Sequence, residues 1–169
     1  MRASKAMAVC GMMTALGIVL LVLGAALEIG MYAAPMLAGL CLLPLGGICG
    51  KKHQMLVWLA TGLLGLILVP NVEEALMYLA LFGFYPIVRP WFQRQKPWLR
   101  FLWKMLYFNA VTLVVQWLVL WILVPEPMGI GLGVVLLLLG NVVFLLYDLL
   151  LPRAERKLGY LLRNILKNR

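Results

Sequence analysis

Very little in this chain can do chemistry. Charged residues are 12% of the 169, and Asp and Glu together number six. There is one serine, Ser4, and one histidine, His53, so a Ser/His/Asp arrangement for acyl transfer is excluded. No H-E-x-x-H and no G-x-x-x-x-G-K-[ST] occurs, which removes a helix-borne zinc site and a nucleotide-driven motor. The three cysteines, Cys10, Cys41 and Cys49, lie in apolar stretches without a C-x-x-C, and read as small buried hydrophobes. Cys49 and His53 stand four apart, but two ligands do not make a metal site. No metal, no cofactor and no self-contained enzyme is expected.

What the chain has is apolar surface. Hydrophobic residues make up 64% and mean hydropathy is +0.99, whereas soluble domains are about half apolar and a quarter charged. A soluble core of this size cannot hide so much. The composition predicts an all-α integral membrane protein. In that setting the net charge of +9 reflects topology rather than nucleic-acid binding. Arg2 and Lys5 before an apolar run imitate a signal peptide, but no cleavage site leads into a polar region, so this is read as a retained first span.

Six apolar segments approach the roughly 20 residues needed to cross a bilayer: 6–27, 32–49, 54–69, 74–91, 101–124 and 128–151. Asn71 is a plausible N-cap after Pro70, with Glu74 three residues on as in a capping box. Pro125-Glu126-Pro127 makes a stiff turn. With six spans, all 15 Lys and Arg fall on the side of the termini, and Glu28, Glu73, Glu74 and Glu126 occupy the other. The positive-inside rule then puts both termini in the cytoplasm of a multi-pass protein of the cell membrane. Trp91, Trp98 and Trp103 suit the inner aromatic belt and Trp121 the outer. The second segment, with Pro35, Pro44, Gly39, Gly46 and Gly47, and the third, with Gly62 and Gly65, are either kinked short helices or partly re-entrant.

Residues 1–151 are thus expected to form a six-helix transmembrane bundle, and 152–169 a basic cytoplasmic tail. In the tail Leu158, Leu161, Leu162, Ile165 and Leu166 recur at helical spacing, with Arg156, Lys157, Arg163, Lys167 and Arg169 mostly on the other side. Such an amphipathic helix fits anionic lipid at the inner leaflet, or a cytoplasmic partner.

On the first span, Ser4, Ala8, Gly11 and Ala15 step by four, three and four and so share one face. Small faces let a second helix approach closely, either one of this chain's own or one from another membrane subunit. With this stripe, the segment from Ala8 to Leu20 resembles the opening helix of the substrate-binding S components of energy-coupling factor transporters, and the Gly/Pro-interrupted second and third segments resemble the next part of those proteins. The resemblance implies a small-molecule-binding subunit for uptake, docked through that stripe on a scaffold membrane subunit and energised by separate ATPases. The alternative is a membrane assembly or accessory protein that acts by binding a partner.

The resemblance also implies a ligand held toward the outer face. There the spans offer Glu28, Tyr32, Asn71, Glu73, Glu74, Tyr78, Trp117, Trp121 and Glu126. Acids with aromatics suit a cationic or amine-bearing planar ligand, although topology and the interface alone also place acids, Tyr and Trp at such a surface.

The last two spans carry four polar residues in apolar surroundings. Asn109 to Gln116 and Asn141 to Asp148 are both steps of seven, so each pair shares a helix face. In an antiparallel hairpin residues at one level have a constant index sum, and Asn109/Asp148 and Gln116/Asn141 share one. Two polar rungs are expected, with Asp148 either simple interhelical glue, a proton or ligand group, or a surface partner of Arg153.

Overall fold

Proline decides where the helices break. The structure is a computed structural model; it describes residues 3–27, 32–122 and 130–167, and side-chain surroundings for 4–27, 32–119, 135 and 137–161. Helix α1 (Ala3–Leu27) contains no proline and is unbroken. The next apolar segment is split into α2 (Ala33–Leu40) and α3 (Leu43–Ile48). Pro44 has no N–H to give the carbonyl of Leu40, and Cys41 and Leu42 donate only three residues back, to Ala38 and Gly39, at 3.2 Å each. Gly50, at φ +92°, turns the chain into α4 (Lys51–Leu68). Asn71 then caps α5 (Val72–Met77).

Beyond α5 the helix widens into a π turn, Tyr78–Phe82, before α6 (Tyr85–Gln93). The N–H of Gly83 donates to Tyr78 at 2.7 Å, five residues back. The carbonyl of Leu79 is thereby left without its helical donor, and Phe82 loses its own because Pro86 has none to give. Three other helices supply replacements. Trp58 Nε1 of α4 donates to Leu79 O at 2.9 Å. Tyr107 Oη of α7 (Pro97–Ile122) donates to Ala80 O at 2.7 Å. Tyr147 Oη of α8 (Ile130–Lys167) donates to Phe82 O at 3.2 Å. The irregular turn is the hub of the bundle.

The core divides around that hub. Tyr78 and Ala75 face Leu21, Val57 and Leu45 of the first four helices, while Met77, Leu81, Phe82 and Tyr85 face Phe108 of α7 and Phe144 and Tyr147 of α8. Gly39 makes the close approach possible. A Cβ there would stand 2.6 Å from the carbonyl oxygen of Phe82 and 2.7 Å from Tyr147 Oη.

Four helical stretches have the length and apolarity to cross a membrane: Ser4–Leu27, Val72–Gln93, Pro97–Val119 and Leu137–Leu161. Ala33–Ile48 is shorter; at 1.5 Å per residue it spans about 24 Å against a hydrocarbon thickness of about 30 Å. Helix α4 opens on Lys51, Lys52 and His53, which shortens its apolar run. Residues 152–167 do not form a separate element. Helix α8 continues through Pro152, so the basic segment is continuous with the last apolar helix.

Candidate functional site

The acidic end is organised by the start of α5. Asn71 Oδ1 accepts the N–H of Glu73 at 3.1 Å, which satisfies one of the orphan donors of the first turn. The capping box expected with Glu74 does not form. Glu74 turns inward instead and is only 1% exposed, and its Oε1 is buried without a hydrogen-bond partner. A Cβ on Gly24 of α1 would stand 2.6 Å from that oxygen and 2.1 Å from the Cβ of Ala34 on α2. The carboxyl therefore lies where α1, α2 and α5 meet, behind the half-buried Gly24. Among the described buried side-chain oxygens without a partner, it is the one that belongs to an ionisable group. Leaving even a neutral buried polar group unsatisfied costs about 1–3 kcal/mol.

Its neighbour is treated differently. Glu73 Oε1 accepts from Gln116 Nε2 of α7 at 2.7 Å. Tyr32, half-buried, packs against the same side of the core. Tyr78 does not join them at the surface: it is fully buried, in the core cluster that includes Leu21, Leu45 and Val57. Trp117 is 64% exposed on α7. Glu28, Glu126 and the side chain of Trp121 lie outside the described residues.

The polar residues of the last hairpin pair in a different register from the one expected. Asn109 and Asn141 exchange two amide hydrogen bonds of 3.0 Å, and each also donates to the carbonyl four residues back, Met105 and Leu137, at 2.8 Å. Asn109 is thus not opposite Asp148, nor Gln116 opposite Asn141. The observed pairs Asn109/Asn141 and Lys104/Asp148 are centred on 125 and 126, whereas the expected rungs are centred between 128 and 129. The observed register sets the buried carboxylate of Asp148 against the ammonium of Lys104 and lets the two Asn amides satisfy each other, where the expected one would have set a carboxylate against an amide.

Asp148 instead collects the basic end. Its Oδ1 accepts from Tyr85 Oη at 2.6 Å and from Arg89 Nε at 3.3 Å, and its Oδ2 from Lys104 Nζ at 2.5 Å. Arg153 is not among its partners. Arg89 also lies 3.7 Å from Glu155. In the sequence Arg89 and Lys104 serve only as topological markers, yet both are buried. Tyr85 and Arg89, four apart on one face of α6, are the signal that could have found the cluster. A cavity of about 280 Å³ adjoins it, bordered by Lys51, Gln54, Arg89, Gln93 and Glu155 among others.

On α1, Ser4, Ala8, Gly11 and Ala15 are all exposed, and a Cβ on Gly11 would meet nothing within 4 Å. The helix packs on α2 and α4 while Ala6, Val9, Gly17 and Leu21 are buried. The small stripe is therefore not the contact with the chain's other described helices.

No family model matches the chain, and no curated protein or solved structure matches it either.

Proposed function

We propose that the chain is a membrane-embedded solute-binding subunit that captures a small cationic or amine-bearing molecule for uptake, with energy supplied by separate scaffold and ATPase subunits. The observation that carries this reading is Glu74, a carboxyl buried without a partner. An intramembrane acid is costly unless something compensates it, and a bound ammonium group does so. Glu73, held by Gln116, and Tyr32 are the adjoining acid and aromatic. Gly24 and Ala34 are the thin part of the wall, and a solute reaches Glu74 by parting α1 from α2 there. The exposed stripe Ser4, Ala8, Gly11 and Ala15 is the docking face for the scaffold.

In this reading the chain crosses the membrane six times, with α2 and α3 together forming the second crossing and α4 the third, and both termini are cytoplasmic because every Lys and Arg falls on that side. Single cysteines at Asn71 and Gln95, in a chain with Cys10, Cys41 and Cys49 replaced, test the map. Asn71 labels from outside and Gln95 from inside; the reverse pattern at either site removes it.

The binding claim is tested by untargeted mass spectrometry of small molecules retained by gently purified protein. Wild type retains an amine-bearing solute that Glu74→Gln loses. A solute retained equally by both sinks the assignment. The exposed stripe would equally serve a membrane assembly or accessory protein, and Gly11→Leu with Ala15→Leu separates the readings. Loss of a scaffold with paired ATPases from the purified complex supports uptake; loss of some other stable partner supports the accessory role.

A further inference from the structure

The first turns of α8 beyond Asp148 hold a site of a different kind. A groove of about 510 Å³ is lined by Leu40 at the end of α2 and by Leu150, Arg153, Ala154, Arg156 and Lys157 of α8. Its volume is within the roughly 300–1,000 Å³ of small-molecule sites. Its chemistry is divided: Leu40, Leu150 and Ala154 make an apolar floor, and three cations stand beside it with no acid in the lining.

Those cations are uncompensated. Glu155 is the one acid between Pro152 and Arg169, and it faces Arg89. Among the described residues Arg153, Arg156 and Lys157 make no ion pair with any acid. Arg156 Nε donates to the carbonyl of Pro152 at 3.2 Å, which folds the side chain back one turn along α8 and leaves its terminal nitrogens for another acceptor. Leu150, Arg153, Ala154, Arg156 and Lys157 all belong to the C-terminal part of the stretch Leu137–Leu161, the last of the four with membrane-spanning length, where the apolar sequence gives way to a rising density of charge from Arg153 onward.

We propose that this groove is a binding site for one anionic phospholipid, with the headgroup phosphate held by Arg153, Arg156 and Lys157 and the upper acyl chain lying on Leu40, Leu150 and Ala154. Juxtamembrane basic residues attract anionic lipid generally. What is specific here is the combination of three unpaired cations with an apolar floor from two helices, which a free anion cannot use and a zwitterionic lipid cannot satisfy. The site is independent of the solute reading, being carried by the opposite end of the molecule.

Native mass spectrometry of the full chain in a nonionic detergent, with phosphatidylglycerol or phosphatidylcholine added, tests it. One phosphatidylglycerol is retained per chain in preference to phosphatidylcholine. At roughly fivefold per cation near an anionic surface, the triple variant Arg153→Gln, Arg156→Gln, Lys157→Gln lowers that preference on the order of 100-fold, and Arg156→Gln alone lowers it roughly fivefold. The double variant Lys51→Gln, Lys52→Gln removes two exposed cations outside the groove and leaves the preference in place. Equal retention of the two lipids overturns the proposal. So does an equal loss in the Lys51/Lys52 variant, which means diffuse attraction. Protection against thermal unfolding by inorganic phosphate equal to that by short-chain phosphatidylglycerol means a free-anion site instead, and displacement of bound lipid by an acidic co-purifying protein means the groove is that partner's seat.

Discussion

Two carboxyls at opposite ends of this bundle are buried in opposite company. Asp148 has a phenol, a guanidinium and an ammonium within hydrogen-bond distance, and ties α6, α7 and α8 together. Glu74 has Gly24 and Ala34 beside it and no donor. Glu74 is 1% exposed and the Asp148 side chain 14%, so desolvation is no cheaper at Glu74, and what sets the two apart is compensation. An acid compensated from within the chain is a structural element. An acid buried without compensation is a place where the folded chain is incomplete, and that is the physical ground for assigning the solute to the Glu74 end and not to the better-formed ionic cluster.

The contrast breaks most visibly at Asp148. Replacing it with Ala leaves Lys104, whose side chain is 9% exposed, without its counter-ion, and leaves Arg89, 11% exposed, with only the more distant Glu155. Removing one member of a buried pair costs about 3–5 kcal/mol, so the unfolding midpoint of Asp148→Ala in detergent falls steeply. A loss within experimental error would mean that the cluster is solvated and the two ends are not different in kind.

A smaller effect is expected at Gln116, which links the acidic end to α7. Gln116→Leu removes the one side-chain donor to Glu73 among the described residues and lowers stability by about 1.5 kcal/mol, the low end for a hydrogen bond to a charged group. Solute retention should weaken with it, because Glu73 is no longer held. Unchanged retention at reduced stability would confine Gln116 to a packing role and would narrow the site to Glu74.

Smaller again is the coupling between Asn109 and Asn141, midway between the two ends. Each side chain is already bonded to its own helix, so the interhelical exchange adds little. A double-mutant cycle with Leu at both positions should give about 0.6 kcal/mol, the average for such bonds in membrane helices. A value near zero for this cycle together with a large one for Asn109 and Asp148 would restore the register in which those two face each other.

The helical class, the break at Pro70, the cap at Asn71 and the polar content of the last hairpin were legible in the sequence because each is local. The cap needs only a side chain two residues from a free N–H, and periodicity needs only one helix. The register of the hairpin was not legible, because neither helix alone says whether Asp148 will face the amide of Asn109 or the ammonium of Lys104. The direction of Glu74 was not legible either: the small residues that admit it, Gly24 and Ala34, come from helices 40 to 50 positions away. The four-residue step from Tyr85 to Arg89 marks a polar face of α6, but neither it nor Lys104 says that Asp148 is what this face meets, across 44 to 63 residues of chain. The π turn announces itself only through Pro86, and the aromatic donors that complete its carbonyls come from three separate helices.

The most direct test of the contrast is the stability of Glu74→Met measured against wild type, in detergent and without added solute. Methionine keeps the length of the side chain and removes the unpartnered oxygen, and replacing an unsatisfied buried polar group by an apolar one of similar shape is neutral to stabilising. The unfolding midpoint should therefore stay at the wild-type value or rise by the equivalent of up to about 1 kcal/mol. A fall approaching that of Asp148→Ala would mean that Glu74 already has a partner within the folded chain, and would contradict the account.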